Sequence, residues 1–339
     1  MNSRQPAVRS AAGARAAAIL YDLWRASPPL TAVGALMLVV AGASLVGMLV
    51  DPRVITGAPA WLKPFKFAIS TAIYSLTLAW IFGYLSNWPR ARRVVGWTTA
   101  IVFVLEVAII DTQAWRGTTS HFNVSTLLDA TLFSIMGGAI LIQTLVSVAV
   151  AVALWRERFN DRALGWALRL GMTLTIVGAL VGPLMTRPTA AQLAGARASG
   201  HITTTGAHTV GGADGGPGMP ATGWSREHGD LRVPHFIGLH AVQALALIAL
   251  GLRRWRRPEA VRVKALLAAV ASYASLFFLL LWQALRGQSV VAPDATALAS
   301  FAVWAVVTVL ALGWIGLGAR GVARAGLQPR PPLEEQRGR

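Results

Sequence analysis

The stretch VVGWTTAIVFVLEVAIIDTQAWRG, residues 94–117, contains the third apolar run of the chain, near 94–113, and the turn that follows it. About twenty predominantly apolar residues are enough to cross a bilayer as an α-helix. The apolar residues form a continuous run and do not alternate with polar ones, which excludes the strands of a membrane β-barrel. The stretch therefore predicts a transmembrane helix that carries an acid, Glu106, near its middle.

The composition of the whole chain agrees with this reading. Of 339 residues, 55% are hydrophobic and 13% are charged, and the mean hydropathy is +0.54. Because soluble domains carry about 25% charged residues, the chain is predicted to be an integral membrane protein. It contains no cysteine, which excludes disulfides, thiolate metal sites, Fe–S clusters and a cysteine nucleophile.

Eight apolar runs are long enough to span a membrane. They lie near residues 29–50, 64–86, 94–113, 124–155, 164–186, 234–252, 261–283 and 296–318. The predicted fold class is an all-α integral membrane protein with eight transmembrane helices, and its first partner is the lipid bilayer.

The positive charges predict the orientation of these helices. The formal net charge is +17, which on a soluble protein would suggest nucleic-acid binding. Here 22 of the 31 Lys and Arg residues lie in one alternating set of segments and 9 in the other. The richer set is expected in the cytoplasm, so both termini are predicted inside and no nucleic-acid partner is expected. Arg outnumbers Lys by 28 to 3, a bias typical of GC-rich bacterial genomes, so we predict a bacterial inner-membrane location.

The runs and loops divide the chain into five predicted parts. Residues 1–28 form a cytoplasmic segment, with residues 11–25 either an interfacial helix or a frayed tail. Residues 29–186 hold five spans, 187–233 form a flexible Gly-rich outer loop, 234–318 hold the last three spans, and 319–339 form a basic cytoplasmic tail.

Two similar stretches suggest an internal repeat. QAWRG at 113–117 and QALRG at 283–287 are separated by half the length of the chain, and 113–128 shares six of sixteen positions with 283–298. Both end an apolar run on the same side. This pattern predicts two tandem four-helix repeats related by an axis along the membrane normal, with the fifth span belonging to the second repeat. The alternative is a coincidence between two Arg-Gly turns in a biased composition.

Several polar groups lie within or beside the apolar runs. An ionisable group costs about 2.5–3.5 kcal/mol at the centre of a span on insertion scales, so Glu106 in particular needs an explanation. The predicted ligand or proton site consists of Lys66, Glu106, Asp111, Gln113, Arg116, Asp129 and Arg232. The alternative is structural pairing, in which Lys66 pairs with Asp111 or Asp129 and Arg232 pairs with Asp230.

The histidines give a second candidate site at the predicted outer side. His121 precedes the fourth span, and His235 and His240 open the sixth. Imidazoles bind haem b and divalent metals in membrane bundles, so these three are the candidate metal ligands, with carbonyl hydrogen bonding as the alternative. His201 and His208 are expected to be solvated side chains in the Gly-rich loop.

Four classes of function remain open from the sequence alone. The first is a membrane protein with an outer His/carboxylate site that binds haem b, a divalent metal or a small molecule. The second is a proton-coupled transporter of a small solute that uses Glu106. The third is an enzyme acting on lipid or quinone, and the fourth is a scaffold or assembly subunit. Nucleotide-driven chemistry is not expected because the chain has no Walker loop or GxGxxG fingerprint.

Overall fold

The chain is described by a computed structural model that covers the backbone of residues 5–325 and the side chains of residues 13–317. Most of the predicted basic tail 319–339 and residues 1–4 of the predicted N-terminal segment lie outside the described residues. The described chain contains twelve helices. They are α1 (Gln5–Ala26), α2 (Pro28–Val50), α3 (Leu62–Phe82), α4 (Pro89–Trp115), α5 (Leu127–Arg156), α6 (Arg162–Ala179), α7 (Gly182–Met185), α8 (Ala190–Ser199), α9 (Arg232–Leu239), α10 (Ala241–Arg253), α11 (Glu259–Leu285) and α12 (Ala295–Ala325).

The strands of residues 5–325 form two short antiparallel pairs. In one, β1 (Val54–Ile55) pairs with β2 (Ala58–Pro59), and Val54 lies opposite Pro59. In the other, β3 (Thr209–Val210) pairs with β4 (Gly229–Asp230), and Thr209 lies opposite Asp230.

Seven helices of the described chain are long and apolar enough to cross a membrane, and α9 with α10 make an eighth if the bent pair forms one span. The prediction of a helical protein with many membrane spans is therefore confirmed. The sixth span differs from its prediction, because it is bent by 47° at His240 instead of running as one helix.

Local sequence signals explain several helix ends. Pro28 suits the first turn of α2, where its missing N–H is not needed. The side chains of Thr126 and Asp161 accept hydrogen bonds from backbone N–H groups in the first turns of α5 and α6, as capping residues do. Gly117 and Gly287 follow α4 and α11 with φ of +74° and +75°, a conformation that glycine adopts at little cost.

The spans pack in two sets. In the first, α2 packs on α3 and α4, and α4 packs on α5. In the second, α6 packs on α9, α10 and α11, and α11 packs on α12, while α5 and α6 join the sets. The largest buried apolar cluster includes residues from both sets, among them Phe82, Leu154, Leu168 and Leu245.

The two sets share a chain spacing. Helices α4 and α11 are both 27 residues long. The first covers 89–115 and the second 259–285, so the second occupies the positions of the first moved along by half the length of the chain. Helices α3 and α9, which begin at 62 and 232, have the same spacing.

The segments at one end of the spans contact one another and form a layer that we call the cap (residues 51–61, 116–126, 186–231 and 286–294). The backbone N–H of Val124 donates to the carbonyl of Thr203 at 2.9 Å, and the hydroxyl of Ser289 donates to the carbonyl of Ser225 at 2.8 Å. The opposite end of the spans, which we call the basic end, comprises residues 83–93, 156–162 and 253–258 and carries ten arginines. The predicted flexibility of residues 187–233 concerns motion and stays a prediction. The segment nevertheless contains α8, β3 and β4 and makes the defined cap contacts given above.

Candidate functional site

Glu106 lies on α4, nine residues before the cap end of that helix, and its residue surface is 2% exposed. Neither carboxylate oxygen has a hydrogen-bond partner in the described protein. A buried carboxylate without such partners is costly when it is charged. The position therefore favours either a proton on Glu106 or a cation close to it.

His121 is the nearest titratable group, and it belongs to the cap. Its Nε2 lies 3.8 Å from Oε1 of Glu106. The ring is surrounded by the aromatic rings of Phe67, Phe122 and Phe133, at centroid distances of 5.5, 6.1 and 6.5 Å. Acid and imidazole are thus brought together in largely apolar surroundings.

The backbone of Phe122 sets the position of His121. Phe122 has φ of +65°, which is unusual for a bulky residue and costs about 1–3 kcal/mol. The phenyl ring is 5% exposed and packs in a cluster with Val181, Leu231 and Phe277. Burial of this ring offsets the backbone strain and holds the His121 turn against the spans.

Lys63 completes the group, and the sequence reasoning missed it. Its Nζ lies 3.0 Å from Nδ1 of His121. Because a lysine ammonium can only donate, Nδ1 accepts, and the proton of the neutral imidazole is placed on Nε2, facing Glu106. We call Lys63, Glu106 and His121 the triad. The available signal was the position of Lys63 inside an apolar helix start, one turn before Lys66.

The protonation of His121 follows from its surroundings. Burial is the main cause that holds the pKa of His121 well below its usual range, and the positive charge of Lys63 adds to it. The imidazole is therefore neutral at neutral pH.

His208 is the second residue that the sequence reasoning misplaced, since the prediction of a solvated side chain is wrong. Its side chain is 23% exposed, and Nδ1 lies 3.0 Å from Oδ2 of Asp214. Its ring packs on Phe122 with centroids 4.8 Å apart. Burial is the main cause that lowers the pKa of His208, while the bond to Asp214 opposes the shift. The signal was local, because Asp214 follows within six residues and also accepts from the backbone N–H of Thr209.

Gln113, Arg116 and Asp129 form a separate, structural network. Oδ1 of Asp129 accepts from Gln113 at 2.8 Å and from Arg116 at 2.6 Å, and Oδ2 accepts from the hydroxyl of Thr126 at 2.6 Å. The Arg116 guanidinium also donates to the side-chain oxygen of Gln113. This network ties the end of α4 to the start of α5, and its carboxylate has no oxygen left without a partner.

Lys66 and Arg232 hold the cap. Lys66 donates to the carbonyl of Thr222 at 2.7 Å, so the predicted pairing of Lys66 with Asp111 or Asp129 is wrong. Arg232 pairs with the buried Asp230 at 2.5 Å, which confirms the pairing expected from the sequence. It also donates to the carbonyl of Gly223 at 2.7 Å. Asp111 lies on α4 with Oδ1 buried and without a hydrogen-bond partner among the described residues.

His235 and His240 lie near the bend of the sixth span. Nδ1 of His235 donates to the carbonyl of Gly178 at 2.8 Å, which is the carbonyl bonding expected as the alternative to metal ligation. Nε2 of His240 lies 3.4 Å from the hydroxyl of Ser70. The bend itself is supported by Tyr273, whose hydroxyl donates to the carbonyl of Ile237 at 2.6 Å.

Within the described residues, no group of three or more His, Asp or Glu side chains is arranged to hold a metal ion. His121, His235 and His240 therefore do not converge on one metal position, and a haem b or divalent-metal site on them stays a prediction without support from this geometry.

No family model, curated protein or solved structure matches the chain. What the site can do therefore follows from its own residues.

The triad is suited to bind and release a proton. It contains an acid, a neutral imidazole and an ammonium, with the imidazole between the other two groups. The imidazole has one nitrogen facing each of the other two groups, so it can accept a proton on one side and release one on the other. General acid–base chemistry on a substrate needs the same groups, but it also needs a substrate beside them.

Proposed function

We propose that the chain is a bacterial inner-membrane transporter that couples the movement of a small solute to protons, with Glu106 as the proton-binding group. One observation carries the proposal: Glu106 is buried within a span, neither of its carboxylate oxygens has a hydrogen-bond partner in the described protein, and His121 lies 3.8 Å away. A group that served only to hold helices together would be hydrogen-bonded, as Asp129 is.

The energetic argument concerns the cost of charge. An ionised acid inside a span is expensive, and such residues are commonly part of ion or proton pathways. Glu106 can reduce this cost by taking a proton or by interacting with the charge of Lys63, which lies within electrostatic range. Two states of similar free energy are what a carrier of exchangeable protons needs.

The bent sixth span supports transport over a purely structural role. Discontinuous helices are typical of substrate sites in secondary transporters. The break between α9 and α10 falls at His240, next to Ser70 of α3. Its freed carbonyls are bonded by side chains, among them the hydroxyl of Tyr273, so the break is part of the fold.

The two sets of spans are proposed to be two related four-helix halves, α2–α5 and α6–α12. The equal lengths of α4 and α11 and the constant chain spacing between the halves support this. So does the equivalent turn after each helix. Gln113 donates to the carbonyl of Thr119, and Gln283 donates to the carbonyl of Ser289. Halves of this kind are the usual basis of alternating access.

The test is infrared titration of the protein reconstituted in lipid. In the wild type, the C=O band of protonated Glu106 should appear as the pH is lowered, and this one component should be missing from the spectra of Glu106→Gln. Asp294→Asn is the matched control, because Asp294 is 39% exposed and paired with Arg286 in the cap. If Glu106→Gln leaves every carboxyl band unchanged, Glu106 does not exchange protons and the proposal fails.

An absorbance spectrum and metal analysis of the same preparation separate this proposal from the haem and metal hypothesis. A colourless, metal-free protein is expected. A Soret band or stoichiometric metal would instead move His121 and His240 to the centre of the function.

A further inference from the structure

Two lysines lie at the amino end of α3, where the helix dipole disfavours a positive charge. Lys63 and Lys66 are the second and fifth residues of α3, and no acid lies in the first turn of that helix. The amino end of a helix carries a partial positive charge that favours anions and disfavours cations. Residues three apart also share a face, so the two ammonium groups repel each other.

Nothing in the described protein neutralises either lysine by direct contact. Neither has a carboxylate oxygen within 4.0 Å among residues 13–317. Lys63 contacts the nitrogen of a neutral imidazole, and Lys66 contacts the carbonyl of Thr222. Arg232 adds a third positive charge within electrostatic range of both, although it is itself paired with Asp230. The acids within electrostatic range are Glu106 and Asp214 for Lys63, and Asp230 for Lys66.

We infer that Lys63 and Lys66 bind the carboxylate group of a small organic acid, which enters together with a proton on Glu106. This inference rests on the proposed function and names its substrate class. The second observation, besides the helix start, is Glu106 itself. This acid is only 2% exposed, its oxygens lack hydrogen-bond partners, and Oε1 lies 3.8 Å from His121, the residue that Lys63 contacts.

Charge balance explains the coupling. When Glu106 is ionised, its negative charge compensates Lys63 from a distance, and the lysines have less need of an anion. When Glu106 takes a proton, that compensation is lost, and the lysine pair attracts one negative charge from outside. One proton and one monovalent anion therefore bind together, and the net charge of the site is unchanged.

The surroundings select a carboxylate with an apolar body over an inorganic ion. The rings of Phe67, Phe122 and Phe133 enclose His121 beside Lys63. A hydrocarbon chain or ring gains free energy from contact with such side chains, whereas inorganic phosphate does not. Butyrate and benzoate are suitable probes, with phosphate as the comparison.

The test is isothermal titration calorimetry on the purified full-length protein, repeated in buffers of different ionisation enthalpy to count protons. The wild type should bind butyrate or benzoate with uptake of one proton, and affinity should fall about tenfold per pH unit once Glu106 is ionised. Glu106→Gln should bind the anion with no proton uptake and no such pH dependence. Lys63→Met and Lys66→Met should each weaken binding about 10- to 100-fold, and Lys63→Arg should retain it.

Lys264→Met is the matched control, because Lys264 is the third lysine of the chain and is exposed on α11. Equal binding by Lys63→Met and Lys264→Met would overturn the inference, as would binding of phosphate in preference to both carboxylates. Absence of carboxylate binding in the wild type would also overturn it. The proposed function would still be tested independently by the infrared band of Glu106. If Lys63→Met does not fold, the contrast between Lys63→Arg and Lys66→Met decides.

Discussion

Oε1 of Glu106 and Nε2 of His121 are 3.8 Å apart, which is close enough for electrostatic interaction but too long for a hydrogen bond. The acid of one span therefore meets a cap residue without being tied to it. This separates Glu106 from Asp129 near the cap end of α5, which is paired with Arg116.

Replacement of Glu106 by Leu is predicted to raise stability. A buried acid without hydrogen-bond partners has a desolvation cost that Leu does not have, so we expect a gain of about 1–2 kcal/mol. Unfolding in mixed detergent micelles measures this. A loss of stability would show that Glu106 holds the fold, in contradiction to the proposed role.

Arg116→Met is predicted to destabilise the protein, because it removes a partner from the buried carboxylate of Asp129. Leaving a buried polar group with one partner fewer costs about 1–3 kcal/mol. The matched change is Arg286→Met at the corresponding turn after α11. Its partner Asp294 is 39% exposed, so the expected loss is below about 1 kcal/mol. Equal losses in the same unfolding assay would contradict the assignment of the Asp129 network as structural.

Gly178→Ala is predicted to destabilise the protein, because an added Cβ would lie 2.5 Å from the backbone of Gly238, where no flexible side chain can move away. Overpacking of this kind costs about 1–3 kcal/mol or more. Gly137→Ala on α5 is the control. An added Cβ there meets nothing within 4 Å, and Ala should stabilise the helix by about 0.5–1 kcal/mol. Expression level and thermal midpoint in detergent should rank the variants in this order, and the reverse order would exclude close contact between α6 and α9.

Stability is predicted to fall as the pH drops below 6.5, the ordinary pKa of histidine. The folded protein keeps His121 neutral because burial lowers its pKa, whereas the unfolded chain binds a proton there. The unfolded state thus gains up to about 1.4 kcal/mol per pH unit from this residue. His121→Gln should flatten the pH dependence of the thermal midpoint between pH 6.5 and 5. An unchanged slope would show that His121 binds protons equally well in the folded and unfolded states.

Single cysteines can test the predicted orientation without background, since the chain has none. Exposed positions are available at both ends of the spans. Ser199→Cys and Ala213→Cys in the cap should react with an impermeant thiol reagent in intact cells, whereas Ser86→Cys and Asn160→Cys at the basic end should react only after lysis. The opposite pattern would place the cap in the cytoplasm.

Much of the fold was predictable from the sequence because membrane spans are defined by continuous apolar runs. The ends of the helices were predicted less accurately. The third run was predicted as 94–113, but α4 begins at Pro89. A helix can continue past the apolar run into water, where its arginines are solvated. The bend at His240 was missed, because no proline marks it and its support comes from Tyr273 of another helix.

The site was predictable in its acid but not in its grouping. Glu106 was evident as a charge within an apolar run, and the pair Arg232 and Asp230 was evident from adjacency. Lys63 and His121 are 58 residues apart. Their contact depends on the left-handed backbone of Phe122, which no local residue pattern indicates.

The placement of Phe122 has a mechanical consequence. Its ring contacts Phe133 of α5, in the first set of spans. It also packs in a cluster with Val181 and Phe277 from the second set, so it lies between the two sets. If one set rotates against the other, the ring moves with one set and loses contact with the other. Such a rotation would lengthen or shorten the gap between His121 and Glu106, and the proton affinity of the acid would then report the relative tilt of the two sets.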